Sequence, residues 1–171
     1  MIAPPVGRRS GGAPGADVPD PDTLHVRAVL LASEDREIPR QAIDLAARIA
    51  KRSGAPVHVF TIARIWGTSL GFPNPGLMPS KREWEQQRRN AEKAVSRLER
   101  KGVDADARVI GTRAGAKRIV AEAKRRGCDA IVMGADPPRN RFVANLMWSQ
   151  EPYRVQRRAD VPVFLVVDQT T

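Results

Sequence analysis

The segment VMGADPPRNRF, Val132 to Phe142, has the form of a buried strand that runs directly into a phosphate-binding loop. Gly134 stands where such a loop would begin, and Arg139 and Arg141 carry guanidinium groups, which pair well with phosphate. Two consecutive prolines precede these arginines where glycines would be expected, and a proline has neither the freedom for positive φ nor an amide hydrogen to donate. The residue types therefore indicate a nucleotide-binding loop, but the two prolines remove backbone amides that such a loop would use to bind phosphate.

Other residues suited to catalysis or metal binding are few. Cys128 is the single cysteine, and it begins the apolar run CDAIVMG, which favours a small buried hydrophobe over a nucleophile. His25 and His58 both lie in strand-like runs, and neither they nor Cys128 have the spacing of metal ligands. The sequence presents no nucleophile with its base and no convergent carboxylate pair. We therefore predict no catalytic residues and no metal site.

Length and composition favour one cytoplasmic domain. The chain has 171 residues, and its longest uncharged apolar runs are far shorter than the roughly 20 residues that span a bilayer, so we expect no direct membrane insertion. A single cysteine suits a reducing cytoplasm. Residues 1–23 are dense in proline and glycine and lack the apolar stretch of an export signal. We predict a disordered leader over 1–23 and one domain over 24–171.

Strand and helix patterns alternate through that domain. Runs rich in β-branched or alternating apolar residues predict strands over 25–33, 56–63, 103–111, 129–134 and 162–167. Helical spacing predicts a helix that ends at Gly54, one capped by Ser80, one that ends at Gly127 and one over 149–159. Strands that alternate with helices form parallel sheets through right-handed crossovers. The predicted fold class is α/β.

Three stretches resemble the universal stress proteins, the UspA-like family. GTRAGAKRIVAEAKRRGCDAIVMG and RRADVPVFLVV are similar to that family's third helix, its IVMG strand and its closing A-x-x-P-V strand, and VLLASEDREIPRQAIDLAARIA is similar to its opening strand and helix. The resemblance covers roughly Val26 to Asp168. It implies one Rossmann-like domain of the adenine nucleotide alpha hydrolase type, with a five-stranded parallel sheet of order 3-2-1-4-5 and helices on both faces.

The resemblance also implies a homodimer that forms through the last strand. An edge strand of this composition would otherwise expose unpaired backbone groups and an apolar face, which favours the pairing. The dimer strand consists of Val163, Phe164, Leu165, Val166 and Val167.

The resemblance places the ligand site where the first and fourth strands part. In the ATP-binding branch of the family, the fourth strand opens into G-x2-G-x9-G-[ST], of which only Gly134 remains here. Met147 stands at the third glycine, and Ser149 lies one position late for the hydroxyl. Glu34, beside Ser33, is nearest to the aspartate that ends the family's first strand. The sequence thus resembles the branch that lacks the full loop, and we expect no tightly bound ATP and no other cofactor.

The leading hypothesis is a non-enzymatic, dimeric stress-response or regulatory domain that contacts an unidentified protein client. The first alternative is a switch that binds an adenine nucleotide (ATP, AMP or cyclic AMP). In it, Gly134, Arg139, Arg141 and Ser149 would surround the phosphates, and Ser33 or Glu34 would lie near the base or a metal.

The second alternative is a basic protein that binds RNA or another acidic partner. The formal net charge is +10, with eight basic and four acidic side chains from Lys81 to Lys101 and seven and three from Asp104 to Arg126. Alternating signs in both stretches favour a solvated surface over a phosphate-tracking stripe.

Overall fold

The computed structural model describes residues 18–65, 78–135 and 151–167, in which five strands alternate with four helices. All strand pairs are parallel, and the sheet order is β3-β2-β1-β4-β5, which confirms the predicted α/β class and the order 3-2-1-4-5. None of the described helices is long and apolar enough to cross a membrane. The elements are β1 (Val29–Glu34), α1 (Arg40–Ser53), β2 (Val57–Arg64), α2 (Lys81–Arg100), β3 (Ala105–Thr112), α3 (Gly115–Arg126), β4 (Ala130–Ala135), α4 (Glu151–Arg158) and β5 (Val163–Val167).

Helices cover both faces of the sheet. Successive strand side chains point to opposite faces, so Val29 and Leu31 of β1 pack in one apolar cluster and Leu30 and Ala32 in another. The first cluster contains buried residues of α1 and α2, and the second contains those of α3 and α4. Both β1 and β4 are buried along their whole length and lie in the interior of the sheet, as the continuous apolar run of β4 predicted.

Helix ends follow signals that are visible in the sequence. Ser80 begins α2 with a capping box, in which its Oγ accepts from the Glu83 amide at 3.2 Å and the Glu83 carboxylate accepts from the Ser80 amide at 2.6 Å. Gly54 and Gly127 follow α1 and α3 with φ of 61° and 64°, a conformation that glycine adopts at little cost. These confirm the predicted cap and the two predicted ends.

The start of β1 differs from its prediction. The strand begins at Val29 and not at residue 25. The Arg27 amide donates to the Asp129 carboxylate at 2.7 Å, and the Val26 amide donates to Ser53 Oγ at 3.0 Å. The apolar pattern therefore begins before the strand does. The backbone amides of these first residues bind side chains and not a neighbouring strand.

The last residues of the predicted leader have a described conformation. Residues 21–23 form a turn, and the Thr23 amide donates to the Asp20 carbonyl at 3.0 Å. The Asp22 carboxylate lies 3.0 Å from Arg48 Nε of α1. Residues 1–17 lie outside the described part of the chain, and the leader remains a prediction.

Candidate functional site

The candidate site lies at the carboxyl ends of β1 and β4, where the direction of winding reverses. The β1–β2 ladder continues to the pair Glu34 and Ile62, whereas the described β1–β4 ladder ends at Ala32 and Met133. The two central strands therefore part before β1 ends. In open α/β sheets a crevice of this kind is the usual place for a ligand.

Ser33 is committed to the turn that follows β1. Its side chain is buried, and its Oγ donates to the Arg36 carbonyl at 2.8 Å. Asp35, inside this turn, has φ of 51°, which is uncommon for a residue with a side chain, and its amide donates to the Ile62 carbonyl at 3.0 Å. Ser33 thus stabilises the turn that follows Glu34.

Glu34 is a buried carboxyl at the end of β1. It is 5% exposed, and its Oε1 lies 3.9 Å from Arg64 Nε of β2. Its Oε2 has no hydrogen-bond partner among the described residues. Burial, followed by the negative charge of Glu151, raises the pKa of Glu34 to about 7, although Arg64 acts in the opposite direction. Near neutral pH both the protonated and the charged form of this carboxyl are therefore populated.

Glu151, the first residue of α4, is a second buried carboxylate at this end of the sheet. It is 6% exposed, its Oε2 accepts from the Ala116 amide of α3 at 2.7 Å, and its Oε1 accepts from Arg154 Nη1 at 3.0 Å. The residue before α3, Ala114, provides no side-chain cap. Glu151 therefore caps α3 from another helix, where the helix dipole favours a negative charge.

Gly115 allows the start of α3 to lie directly against Glu34. A Cβ at position 115 would stand 2.8 Å from Glu34 Cδ and from its Oε1, and 2.9 Å from its Oε2. Such distances are too short for any side chain to fit without a shift in its neighbours. The first turn of α3 thus faces both Glu34 and Glu151.

Gly134 lies in β4, buried against the residue that precedes α1. A Cβ at position 134 would stand 2.8 Å from both Cδ and Cγ of Pro39. The ring of Pro39 therefore fills the space on the α1 side of Gly134. Packing alone explains why this position has no side chain, without any contact to a phosphate.

The structure brings three predicted site residues, Ser33, Glu34 and Gly134, to the same end of the sheet. Arg139, Arg141 and Ser149 lie outside the described residues, and their assignment remains a prediction.

Sequence reasoning missed Glu151 and saw no convergent carboxylate pair, but Glu34 and Glu151 are close enough for their charges to interact. One signal was available, because Glu151 precedes the fully buried Val155 by four residues and therefore lies on the inward face of α4.

The site offers a carboxyl that titrates near neutral pH, a charged carboxylate and the guanidinium groups of Arg64 and Arg154. Among residues 18–65, 78–135 and 151–167, no group of three or more acidic, histidine or cysteine side chains could hold a metal ion. Cys128 lies elsewhere and is buried, as predicted, and burial raises the pKa of its thiol to about 12. A thiol with this pKa is a poor nucleophile at neutral pH.

The predicted dimer strand is an edge of the sheet. Within the described residues β5 pairs with β4 alone, through Ile131 to Val163 and the following positions. Val163 and Phe164 are buried, and Leu165, Val166 and Val167 are half-buried. The opposite edge, β3, carries the charged residues Asp106 and Arg108, which discourage association. Among the described strands, β5 is therefore the more apolar of the two edges.

Much of the basic surface is already paired within the chain. Glu122 of α3 accepts hydrogen bonds from Arg108, Arg125 and Arg126. Asp106 accepts two from Arg126, at 3.1 and 3.0 Å. These ion pairs reduce the positive charge that this surface presents to an acidic partner.

Comparisons with known proteins agree with this geometry. The model of the universal stress protein family matches residues 25–167. No curated protein sequence gives a significant match.

Three solved structures have the same fold at low sequence identity. A universal stress protein family member from Burkholderia pseudomallei is 21% identical, with a TM-score of 0.59 over 82% of this chain and 95% of its own. The universal stress protein from Archaeoglobus fulgidus in complex with dAMP is 20% identical, with a TM-score of 0.58 over 81% and 95%. A universal stress protein in complex with cAMP is 21% identical, with a TM-score of 0.59 over 84% and 98%.

Proposed function

The chain belongs to the universal stress protein family, and on that premise we propose that it is a non-enzymatic stress-response or regulatory domain. It acts in the cytoplasm as a homodimer that pairs through β5, contacts a protein client and does not bind ATP tightly. The observation that carries this proposal is the Glu151 carboxylate at the N-terminus of α3, on the crevice where relatives of this fold would receive a ligand.

Several contacts oppose a tightly bound triphosphate. The Ala116 amide and Arg154 donate to Glu151 and are therefore committed to an anion of the chain itself. A phosphate placed beside Glu151 would meet a like charge in a buried setting, where screening is weak. The Pro39 ring fills the space beside Gly134 that a phosphate would need on that side.

The test is the nucleotide content of the purified protein and its affinity for ATP, AMP and cyclic AMP. Mass spectrometry of small molecules released on denaturation should find no stoichiometric adenine nucleotide, and calorimetry should give dissociation constants no tighter than the millimolar range. A micromolar dissociation constant for ATP would overturn the proposal.

A switch that binds an adenine nucleotide is the second candidate. It is favoured by the two similar structures described in complex with dAMP and with cAMP. Glu34 could serve it, because a carboxyl with a pKa of about 7 can both donate and accept a hydrogen bond at neutral pH. The candidate residues remain Ser33, Glu34, Gly134, Arg139, Arg141 and Ser149. Micromolar binding of AMP or cyclic AMP, with ATP bound weakly, would select this function.

Dimerisation through β5 has its own test. Light scattering at micromolar concentration should give twice the 18.8 kDa mass of the chain. Val166→Lys places a charge on the apolar edge and should give monomers, whereas the matched control Ala107→Lys, on the opposite edge strand, should remain dimeric. A wild-type particle of monomer mass would remove the dimer from the proposal.

Binding of RNA is less favoured, because the arginines around Glu122 and Asp106 are paired within the chain. An affinity for RNA that falls steeply between 50 and 200 mM salt would support it, since counterion release produces such a fall.

A further inference from the structure

The N-terminus of α3 holds an anion that belongs to the chain itself. The Ala116 amide is among the first amides of the helix, which have no partner inside the helix and favour negative charge. Glu151 Oε2 accepts from it at 2.7 Å, and the Glu151 side chain is almost completely buried. This is the arrangement by which helix N-termini bind phosphate, with a carboxylate in place of the phosphate.

A second observation indicates that the same place can receive a ligand. Glu34 Oε2 is buried and has no hydrogen-bond partner among the described residues, although buried polar atoms in proteins are nearly always paired. It faces the start of α3, because a Cβ at Gly115 would stand only 2.9 Å from it. The first turn of α3 therefore faces one satisfied carboxylate and one carboxyl oxygen without a partner among the described residues. In the protonated form of Glu34 this carboxyl can donate a hydrogen bond to a phosphate oxygen.

We propose that Glu151 is a built-in competitor for phosphate groups at the N-terminus of α3, so that a phosphate binds there only when Glu151 is absent or has moved away. The inference rests on the proposed function, because it gives the reason for weak ATP binding. Arg64 and Arg154 lie near the site on β2 and α4, and Asp35 follows β1. Without the Glu151 charge, two guanidinium groups and a helix N-terminus would attract an entering phosphate, opposed by Asp35 and by the charged form of Glu34.

The test compares wild-type protein with Glu151→Ala and Glu151→Gln by calorimetry with inorganic phosphate, pyrophosphate and ATP. We expect both variants to bind inorganic phosphate and ATP on the order of ten- to a hundredfold more tightly than wild type, since one hydrogen bond to a charged group contributes roughly that factor. Glu151→Ala opens more space, and Glu151→Gln retains the shape of the side chain. A gain with ATP but with neither smaller anion would overturn the inference, because the gain would then come from the nucleoside.

Glu99→Gln is the matched control. Glu99 is an exposed carboxylate near the C-terminal end of α2, away from the crevice, and its replacement changes the net charge by the same amount while the arginines around Glu122 stay paired. It should leave phosphate affinity within about twofold of wild type, because the helix N-terminus is untouched. An equal gain in this variant would assign the effect to overall charge and overturn the inference. A capping role for Glu151 alone would lower stability without a gain in phosphate affinity, and that result would also overturn it.

The amide resonance of Ala116 provides a measurement that also works on the wild-type protein. In wild type, inorganic phosphate should leave the chemical shift of this amide unchanged, because Glu151 occupies it. In Glu151→Ala, which leaves the amide without this acceptor, the shift should respond and saturate with phosphate. In Glu151→Gln the response should be smaller, because the glutamine carbonyl oxygen can still accept from the amide. A saturable response in wild type would show that Glu151 does not exclude phosphate, even if both variants failed to fold.

The outcomes separate this inference from the proposed function. Tight ATP binding by wild type would overturn the proposed function. A still higher affinity for ATP and phosphate in Glu151→Gln would nevertheless support the role of Glu151 as a competitor. Weak binding of phosphate and ATP by wild type and by both folded variants would be consistent with the proposed function and would overturn the inference.

Discussion

Replacement of Glu34 by glutamine should make the protein more stable at alkaline pH and leave it unchanged at acidic pH. Glutamine has nearly the shape of a protonated glutamate and does not ionise. The pKa of Glu34 rises from 4.5 to about 7 on folding, chiefly because the side chain is buried. This interval corresponds to about 3 kcal/mol of unfolding free energy, because each pH unit of pKa displacement is worth about 1.4 kcal/mol.

The sign follows from the number of protons bound in each state. Between pH 4.5 and about 7 the folded protein holds a proton on Glu34 that the unfolded chain has already released. Folding stability therefore falls as the pH rises through this interval, and the loss is complete above it. Glu34→Gln removes this loss. The unfolding free energy of the variant should therefore equal that of wild type near pH 4 and exceed it by up to about 3 kcal/mol at pH 8.

The assay is equilibrium urea denaturation at fixed protein concentration, from pH 4 to pH 8.5, with the difference between variant and wild type plotted against pH. Glu122→Gln is the control, because hydrogen bonding from Arg125 lowers the pKa of Glu122. Glu122→Gln should be less stable than wild type at neutral pH, and this difference in unfolding free energy should become smaller in acid. A Glu34→Gln difference that stays constant between pH 5 and pH 8 would refute the account of this site.

Three further predictions concern packing, capping and reactivity. Gly134→Ala should lower the unfolding free energy by about 1–3 kcal/mol in chemical denaturation, because the new Cβ would meet Pro39 at 2.8 Å; unchanged stability would mean that Pro39 shifts freely. Ser80→Ala should lower the unfolding free energy by about 1 kcal/mol and speed amide hydrogen exchange in the first turn of α2, because it removes the capping box with Glu83. Unaltered hydrogen exchange there would contradict the capping geometry. Cys128, whose pKa is about 12, should react with a disulfide reagent at pH 8 far more slowly in folded protein than in urea, and equal rates would count against its burial.

The parts of the fold that the sequence predicted depend on local patterns. The sequence S-x-x-E at Ser80 and the glycines at positions 54 and 127 act within one turn of chain, so their effect can be seen without the fold. The strand order was predicted from the family resemblance, which applies to the whole domain, and not from any local pattern. The start of β1 could not be placed, because it depends on Asp129, which lies far along the chain.

The chemistry of the site was predicted less completely. Glu34 and Gly134 were found because they match the family's strand-ending aspartate and the first glycine of its loop, but the effect of Glu151 on Glu34 requires α4 to be packed against α3. Pro39 lies near Gly134 only because α1 crosses over β4. A raised pKa is a property of such an environment, and residue types alone do not specify it.

The packing of α4 has a mechanical consequence. Most of the stability of a helix in a protein comes from its packing, so the described part of α4, Glu151–Arg158, depends on the neighbours that hold it. Its attachments include the Glu151 carboxylate at one end and the buried Val155 in the middle, and residues 159–162 join it to the strand at the apolar edge. The same helix therefore joins the buried carboxyl groups of Glu34 and Glu151 to the edge strand at which we propose that a second copy attaches.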